Sequence, residues 1–256
     1  MRRRVTLGSI VVVSVWALLF ASTAFAKTDN SAKPYLNVSA REFLPLLPPP
    51  PKLGSAQDKM ELESVVRAAA TADAARWKAA EADDAALYER FESAFGNLER
   101  SSVPHLRALL DRVREDLSGP ISAAKAHFGR PRPFQRYQFA RACGEDQPRV
   151  PEKNPTKGSS YPSSHAAQGW AVALILASVF PQRSDAVFAR AHAYGESRII
   201  CGYHYPSDID AARLLATAVV SRLHAVPDFR RDLACAQAEH RAVRGERGLP
   251  ERICLP

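Results

Sequence analysis

The sequence predicts an all-α fold: a single compact helical-bundle domain with an extended, proline-rich strap on its N-terminal side. Three observations point there. Leu106, Leu109, Leu110, Val113 and Leu117 recur at the spacing of one buried helical stripe. The segment from Ser164 to Phe180 is apolar nearly all round, as a helix in the middle of a bundle must be. No two-residue alternation of the strand type appears in the Ala-, Glu-, Arg- and Leu-rich stretch before Gly96. With 256 residues, 46% of them hydrophobic and 24% charged, the chain is long enough for one sizeable domain with its own core.

The elements follow in chain order. Residues 1–26 read as an export signal: a basic Met1-Arg2-Arg3-Arg4 start, an apolar run from Val5 to Phe20, and a small-x-small cleavage pattern at Ala24-Phe25-Ala26. That run is short for a ~20-residue membrane span. Cleavage is therefore expected to leave a periplasmic or secreted chain beginning at Lys27, without stable membrane insertion. Residues 27–54 form the arm and strap. Leu44-Pro45-Leu46-Leu47-Pro48-Pro49-Pro50-Pro51 is expected to lie extended on the surface, because proline lacks the amide donor that a helix needs.

Residues 55–256 make the helical domain. Its first helix opens at Ser55-x-x-Asp58, and one or two helices reach about Ala94 before a break near Gly96. A helix from Ser102 is expected to stop at Gly119-Pro120. A short one then carries Lys125 to Phe128, before Gly129-Arg130-Pro131-Arg132-Pro133 extends the chain. Residues 141–162 are the longest loop. Helices follow over 164–180, 184–199, 207–225 (opened by Ser207-x-x-Asp210) and 228–244.

Composition removes some classes of function. Loss of the three signal arginines lowers the formal net charge from +8 to +5, a moderately basic balance that suits anionic small substrates. No Lys/Arg block interleaved with aromatics argues for nucleic acid, and no C-x-x-C spacing argues for zinc. Cys143, Cys201, Cys235 and Cys254 are an even set behind an export signal, which favours disulfides, and sequence alone allows three pairings.

Three polar clusters stand at the ends of apolar helices: Lys125 with Arg132-Pro133, then Pro162-Ser163-Ser164-His165, then Ser197-Arg198 with His204 and Asp208. Brought together, Lys125, Arg132 and Arg198 neutralise a phosphate, and arginine suits bidentate contact with its oxygens. Ser163, Ser164 and His165 lie where a loop becomes a helix, so free backbone amides add anion donors. Two imidazoles then suffice for ester hydrolysis in two in-line steps, one as nucleophile and one as general acid. Asp208 is four residues beyond His204, close enough to reach back and fix the ring's tautomer. This makes His204 the nucleophile candidate and His165 the acid, with no metal or cofactor required.

These residues and their spacing resemble the three-block signature of the superfamily of type-2 phosphatidic acid phosphatases and vanadium haloperoxidases. Leu47-Pro48-Pro49-Pro50-Pro51, Arg132-Pro133-Phe134, Ser160-Tyr161-Pro162 and Cys201-Gly202-Tyr203-His204 further resemble the bacterial class A non-specific acid phosphatases. The resemblance implies His204 as nucleophile, Asp208 as its partner and His165 as acid. It implies that Lys125, Arg132, Ser163, the backbone at Ser164 and Arg198 hold the phosphate. It also implies pairing of Cys143 with Cys201 and of Cys235 with Cys254, vanadate as a phosphate-mimicking inhibitor, and phosphate monoesters such as nucleotides or sugar phosphates as substrates. Nothing in the sequence excludes a homodimer. One departure stands out: the second block usually reads Pro-Ser-Gly-His, and Ser164 replaces the glycine. A position needing positive φ would strain serine, whereas a position using only its amide would not.

His105, His127, His192, His224 and His240 are read as ordinary structural histidines. A vanadium-dependent haloperoxidase would use the same cradle, but the chain's length and the class A features argue against it. Lipid phosphatases of this type usually carry several membrane spans. A non-catalytic phosphate or polyanion binder has no need of His165, His204 and Asp208, all of which are present.

Overall fold

The computed structural model describes residues 33–85, 87–95, 102–141, 143, 158–243 and 254. The expected export signal at 1–26 lies outside them, as does most of the loop over 141–162. The helices are α1 (Ala56–Thr71), α2 (Ala74–Ala85), the one-turn α3 (Glu92–Phe95), α4 (Pro104–Phe128), α5 (Ser164–Val179), α6 (Ser184–Ile200), α7 (Pro206–Leu223) and α8 (Pro227–Val243), and no strand occurs among the described residues. None of these helices is long and apolar enough to cross a membrane.

The bundle is built around α5, which packs on α4, α6, α7 and α8. Its surface is small and apolar: Ala166, Ala167, Gly169, Ala171, Val172, Ala173, Ile175, Leu176 and Val179 are all buried. Small side chains let neighbouring helices come close. At Gly169 a Cβ would sit 2.6 Å from the Tyr194 ring of α6, so that approach requires glycine. The outer helices carry single stripes, as on α4, where Leu106, Leu109, Leu110, Val113 and Leu117 are buried.

Helix ends follow local chemistry. Ser55 caps α1 by accepting from Asp58 N–H at 3.2 Å, and the Asp58 carboxylate accepts from Gly54 N–H at 2.8 Å. Gly129, at φ +57°, ends α4 in the left-handed region and returns its N–H to the Lys125 carbonyl at 3.1 Å. The chain then continues without helix through Arg130 and Arg132 to a 3-10 turn at Pro133–Gln135.

Two expectations are corrected. α4 does not stop at Gly119-Pro120 but continues as one helix of 25 residues. A proline inside a helix costs about 3 kcal/mol, and Leu117, Pro120, Ile121 and Ala124 continue the buried stripe, each large apolar side chain contributing about 1.5–3 kcal/mol. Gly119 serves contact rather than termination, since a Cβ there would lie 3.3 Å from that of Ala40. The second correction concerns the strap. Leu44-Pro45-Leu46 is not extended but belongs to a 3-10 helix, Ala40–Leu46, and extended backbone resumes at Leu47.

Nor does this segment merely lie on the surface. Tyr35, Phe43 and Leu47 are buried in the core. Tyr35 packs edge-on against Phe229, its hydroxyl donates to Asp232 at 2.8 Å, and Asp116 of α4 accepts from the Tyr35 and Leu36 amides at 3.0 and 2.7 Å. Apolar side chains spaced along the arm supply the reason. The strap also reaches the far end of the bundle, where the Tyr161 hydroxyl donates to the Pro48 carbonyl.

Disulfides join Cys143 to Cys201 and Cys235 to Cys254, with Cα separations of 5.1 and 5.5 Å. The first sits in a separate small apolar cluster with Trp77, Ala80, Ile200 and Tyr203, at the end of α6.

Candidate active site

Four helix ends converge at one pole of the bundle. Lys125 is in the last turn of α4, Ser163 and His165 open α5, Arg198 closes α6, and His204 and Asp208 flank the start of α7. Gly202, at φ +71°, turns the chain between α6 and His204, and its carbonyl accepts from Phe134 N–H at 3.1 Å. The α7 start differs from the sequence reading. Ser207-x-x-Asp210 does not cap it: Pro206 is its first residue, and Asp208 accepts from Tyr205 N–H at 2.8 Å. Proline suits that first turn, and this register turns Asp208 inward while Asp210 stays exposed.

His204 is buried at 2% exposure. Its Nδ1 lies 2.8 Å from the Ser160 carbonyl, an acceptor only, so Nδ1 carries the proton. Its Nε2 lies 3.1 Å from an Arg132 nitrogen, a donor only, so Nε2 presents a lone pair. Burial, followed by the charges of Arg132, Lys125 and Arg198 and by His165, holds the ring well below the ordinary histidine range. It is a neutral imidazole.

Asp208 does not hold the ring as directly as the spacing suggests. Its Oδ2 is 3.5 Å from Nδ1, too long for a good hydrogen bond, and that oxygen accepts instead from the Ser160 hydroxyl and the Tyr205 amide. The carboxylate acts through Ser160. The backbone there leaves a closer acceptor, the Ser160 carbonyl, in the path.

Around His204 stand three cations. Lys125 is 5% exposed and donates to the Ser159 carbonyl at 2.6 Å; burial, with the Arg132 charge, pulls its ammonium down to about 7, against the pull of Asp208. Arg132 also donates to the Tyr203 carbonyl at 3.2 Å. Arg198 is 4% exposed and pairs with Asp84 of α2 at 2.6 Å, but its buried Nε has no hydrogen-bond partner among the described residues. A buried donor left unpaired is costly, and an anion oxygen is its natural acceptor. Ser163 caps α5, accepting from Ala166 N–H at 3.3 Å. Ser164 is the first residue of that helix, a conformation any residue adopts, so its replacement of glycine carries no backbone strain.

His165 is partly exposed beside these groups. Burial and then Arg198 push it down to about 4, with Asp84 working the other way through its charge and its backbone. His127, the nearest other histidine in sequence to Lys125, is exposed and packs edge-on against Phe128.

Every residue singled out from sequence thus lies at this pole, apart from Cys235 and Cys254, which join α8 to the C-terminal segment. Sequence reasoning missed Ser160, Arg130, Glu61 and Asp84. Ser160 was visible only as part of Ser160-Tyr161-Pro162. Glu61 and Asp84 lie on α1 and α2 beside other acids, Asp58, Glu63, Glu81 and Asp83, and only packing tells which of these reach the site. Among the described residues no three His, Cys, Asp or Glu side chains are grouped to hold a metal ion.

Comparison with known proteins places the chain among phosphatases by similarity. The model of the PAP2 superfamily matches residues 117–232. The chain is 36% identical over 246 residues to a non-specific acid phosphatase of Providencia stuartii, covering 91% of this chain and 94% of that one. It is 33% identical to an acid phosphatase of Zymomonas mobilis subsp. mobilis, over 81% of this chain and 78% of that protein. It is 30% identical to a non-specific acid phosphatase of Salmonella typhimurium, over 75% and 78%.

Proposed function

Since the chain belongs to the PAP2 superfamily and, within it, to the non-specific acid phosphatases, we propose that it hydrolyses small phosphate monoesters outside the cytoplasm, through a phosphohistidine on His204 and without a metal ion. The observation that carries this reading is a buried, neutral His204 whose Nε2 lone pair faces the Arg132 guanidinium.

Lys125, Arg132 and Arg198 take the phosphate oxygens, with the orphaned Arg198 Nε and the first-turn amides of α5 as further donors. Arg132 exchanges its bond to Nε2 for one to the anion, and the lone pair is released. Nε2 attacks phosphorus, the N–P bond forms, the bond to the ester oxygen breaks, and His165 donates its proton to the departing alkoxide. Water then attacks phosphorus, gives its proton to His165, and the N–P bond breaks to return neutral His204. The Ser160 carbonyl holds the Nδ1 proton throughout and accommodates the positive charge that develops on the ring.

His165 must be charged to act as acid, yet burial and then the Arg198 charge hold it down at about 4. An anion beside Arg198 offsets the depressing charge and raises the ring. Lys125, at about 7, must also be charged to bind. Both requirements favour acidic conditions.

Export is supported by two disulfides that use all four cysteines, a pattern suited to an oxidising compartment. The test is hydrolysis of p-nitrophenyl phosphate by the mature protein with EDTA present, and acid-labile labelling from a 32P ester. Vanadate-sensitive turnover with a trapped label is expected, both lost in His204→Ala. Full activity in that variant would refute the mechanism.

A further inference from the structure

Behind His204 lies a dense group of buried charges that would not touch phosphate. Arg130 is 4% exposed, and its guanidinium lies 3.8 Å from the centre of the Tyr205 ring. One terminal nitrogen donates to Asp208 Oδ1 at 2.7 Å and to Ser207 Oγ at 2.8 Å. The other donates to Glu61 at 2.7 Å and stands 3.6 Å from Asp58. The Arg130 carbonyl accepts Ser160 N–H at 2.7 Å. One arginine therefore grips both the residue whose carbonyl takes the His204 proton and the carboxylate behind it.

We infer that Arg130 is a positioning residue that claims the charge of Asp208, keeps His204 neutral in acid, and so allows this site to work at low pH. The inference rests on His204 being the nucleophile. A carboxylate hydrogen-bonded to an imidazole favours the charged ring, whereas a carbonyl in that place does so far less. Here the carbonyl of Ser160 is at 2.8 Å and the Asp208 carboxylate at 3.5 Å, its second oxygen engaged by Arg130. The other charges facing His204 are Lys125 from α4, Arg132 from the segment after it, His165 from α5 and Arg198 from α6, all cationic or able to become so. Glu61 and Asp58 of α1 reach the site through Arg130, and Asp58 is also held by Arg136 at 2.8 Å. Among the described residues Asp208 is the one carboxylate within salt-bridge distance of the ring. Without Arg130 its charge has His204 as the nearest group to ionise.

The test compares wild type, Arg130→Gln, Arg130→Lys and Glu61→Gln as mature proteins. The pH at which kcat/KM falls on the acid side is measured beside 15N shifts of labelled histidine, which report the protonation of His204 without turnover. In Arg130→Gln the acid limb should move up by about one pH unit or more, and His204 should charge at a correspondingly higher pH. Arg130→Lys, which keeps the charge but cannot fork between Asp208 and Glu61, should fall between the two. Glu61→Gln, which leaves the Arg130–Asp208 pair, should not raise the limb. An unmoved limb and unmoved shifts in folded Arg130→Gln would overturn the inference, as would an upward shift in Glu61→Gln as large as that in Arg130→Gln. If Arg130→Gln does not fold, unmoved limb and shifts in Arg130→Lys overturn it. A shift in the 15N titration alongside retained turnover in His204→Ala would leave the role of Arg130 standing and remove the nucleophile reading instead.

Discussion

Titration of Lys125 should set how tightly the site holds an anion. Its ammonium is buried, bonded to the Ser159 carbonyl at 2.6 Å, and drawn down to about 7, chiefly by burial and then by the Arg132 charge. The charged form exists below that value, so affinity for a dianion is fully present in acid and is lost as pH rises through it. If only the charged form binds well, affinity falls about tenfold between pH 6 and pH 8, and about tenfold again by pH 9, until Arg132 and Arg198 alone hold the anion. Sulfate is a suitable probe because its own charge is constant over that range. Its inhibition constant against p-nitrophenyl phosphate, measured at fixed ionic strength, gives the curve. His204 does not interfere, being held well below the ordinary histidine range, and any slope from proton uptake by His165 as the anion binds is common to wild type and a Lys125 variant, so their difference reports Lys125. Lys125→Arg supplies the control, because a guanidinium stays charged throughout. That variant should bind less well at pH 6, where the Ser159 contact is spoiled, but without the fall owed to Lys125. A flat inhibition constant in wild type, or the same slope in Lys125→Arg, would refute the reasoning.

Replacing Cys143 and Cys201 together with serine should destabilise the protein by about 4 kcal/mol on the chain-entropy scale for their separation of 58 residues. Chemical denaturation measures this, and kcat should fall as well because Cys201 is three residues before His204. Stability should also decline as pH is lowered from about 6.5 towards 4. In that window an unfolded histidine binds a proton that His165, held at about 4, and His204, held well below the ordinary range by burial, refuse while folded. Thermal melts of His165→Gln should show a shallower decline; an unchanged slope would remove His165 as a cause.

Apolar periodicity carried the fold because a helix buries one face at a spacing that sequence displays directly. The stripe from Leu106 to Leu117 and the all-round apolar surface of α5 needed no partner to be recognised. Proline was the misleading signal: Pro120 and Pro45 both lie inside helical turns, since burial against distant residues, the N-terminal segment against α4, outweighs a local cost that sequence shows alone. The site divides in the same way. Its cations, histidines and Asp208 stand in short blocks with fixed spacing, and their chemistry is legible from residue types.

Sequence by itself therefore determined the class of fold and the residues that meet at the pole. Tertiary structure decided how those residues are wired. That the Ser160 carbonyl rather than Asp208 takes the His204 proton, that Arg130 binds Asp208, and that Asp84 waits on Arg198 all depend on contacts between residues 44 to 114 positions apart. Such contacts follow from how helices pack around α5, and packing geometry to a few tenths of an ångström is not written in the order of residues along any one helix.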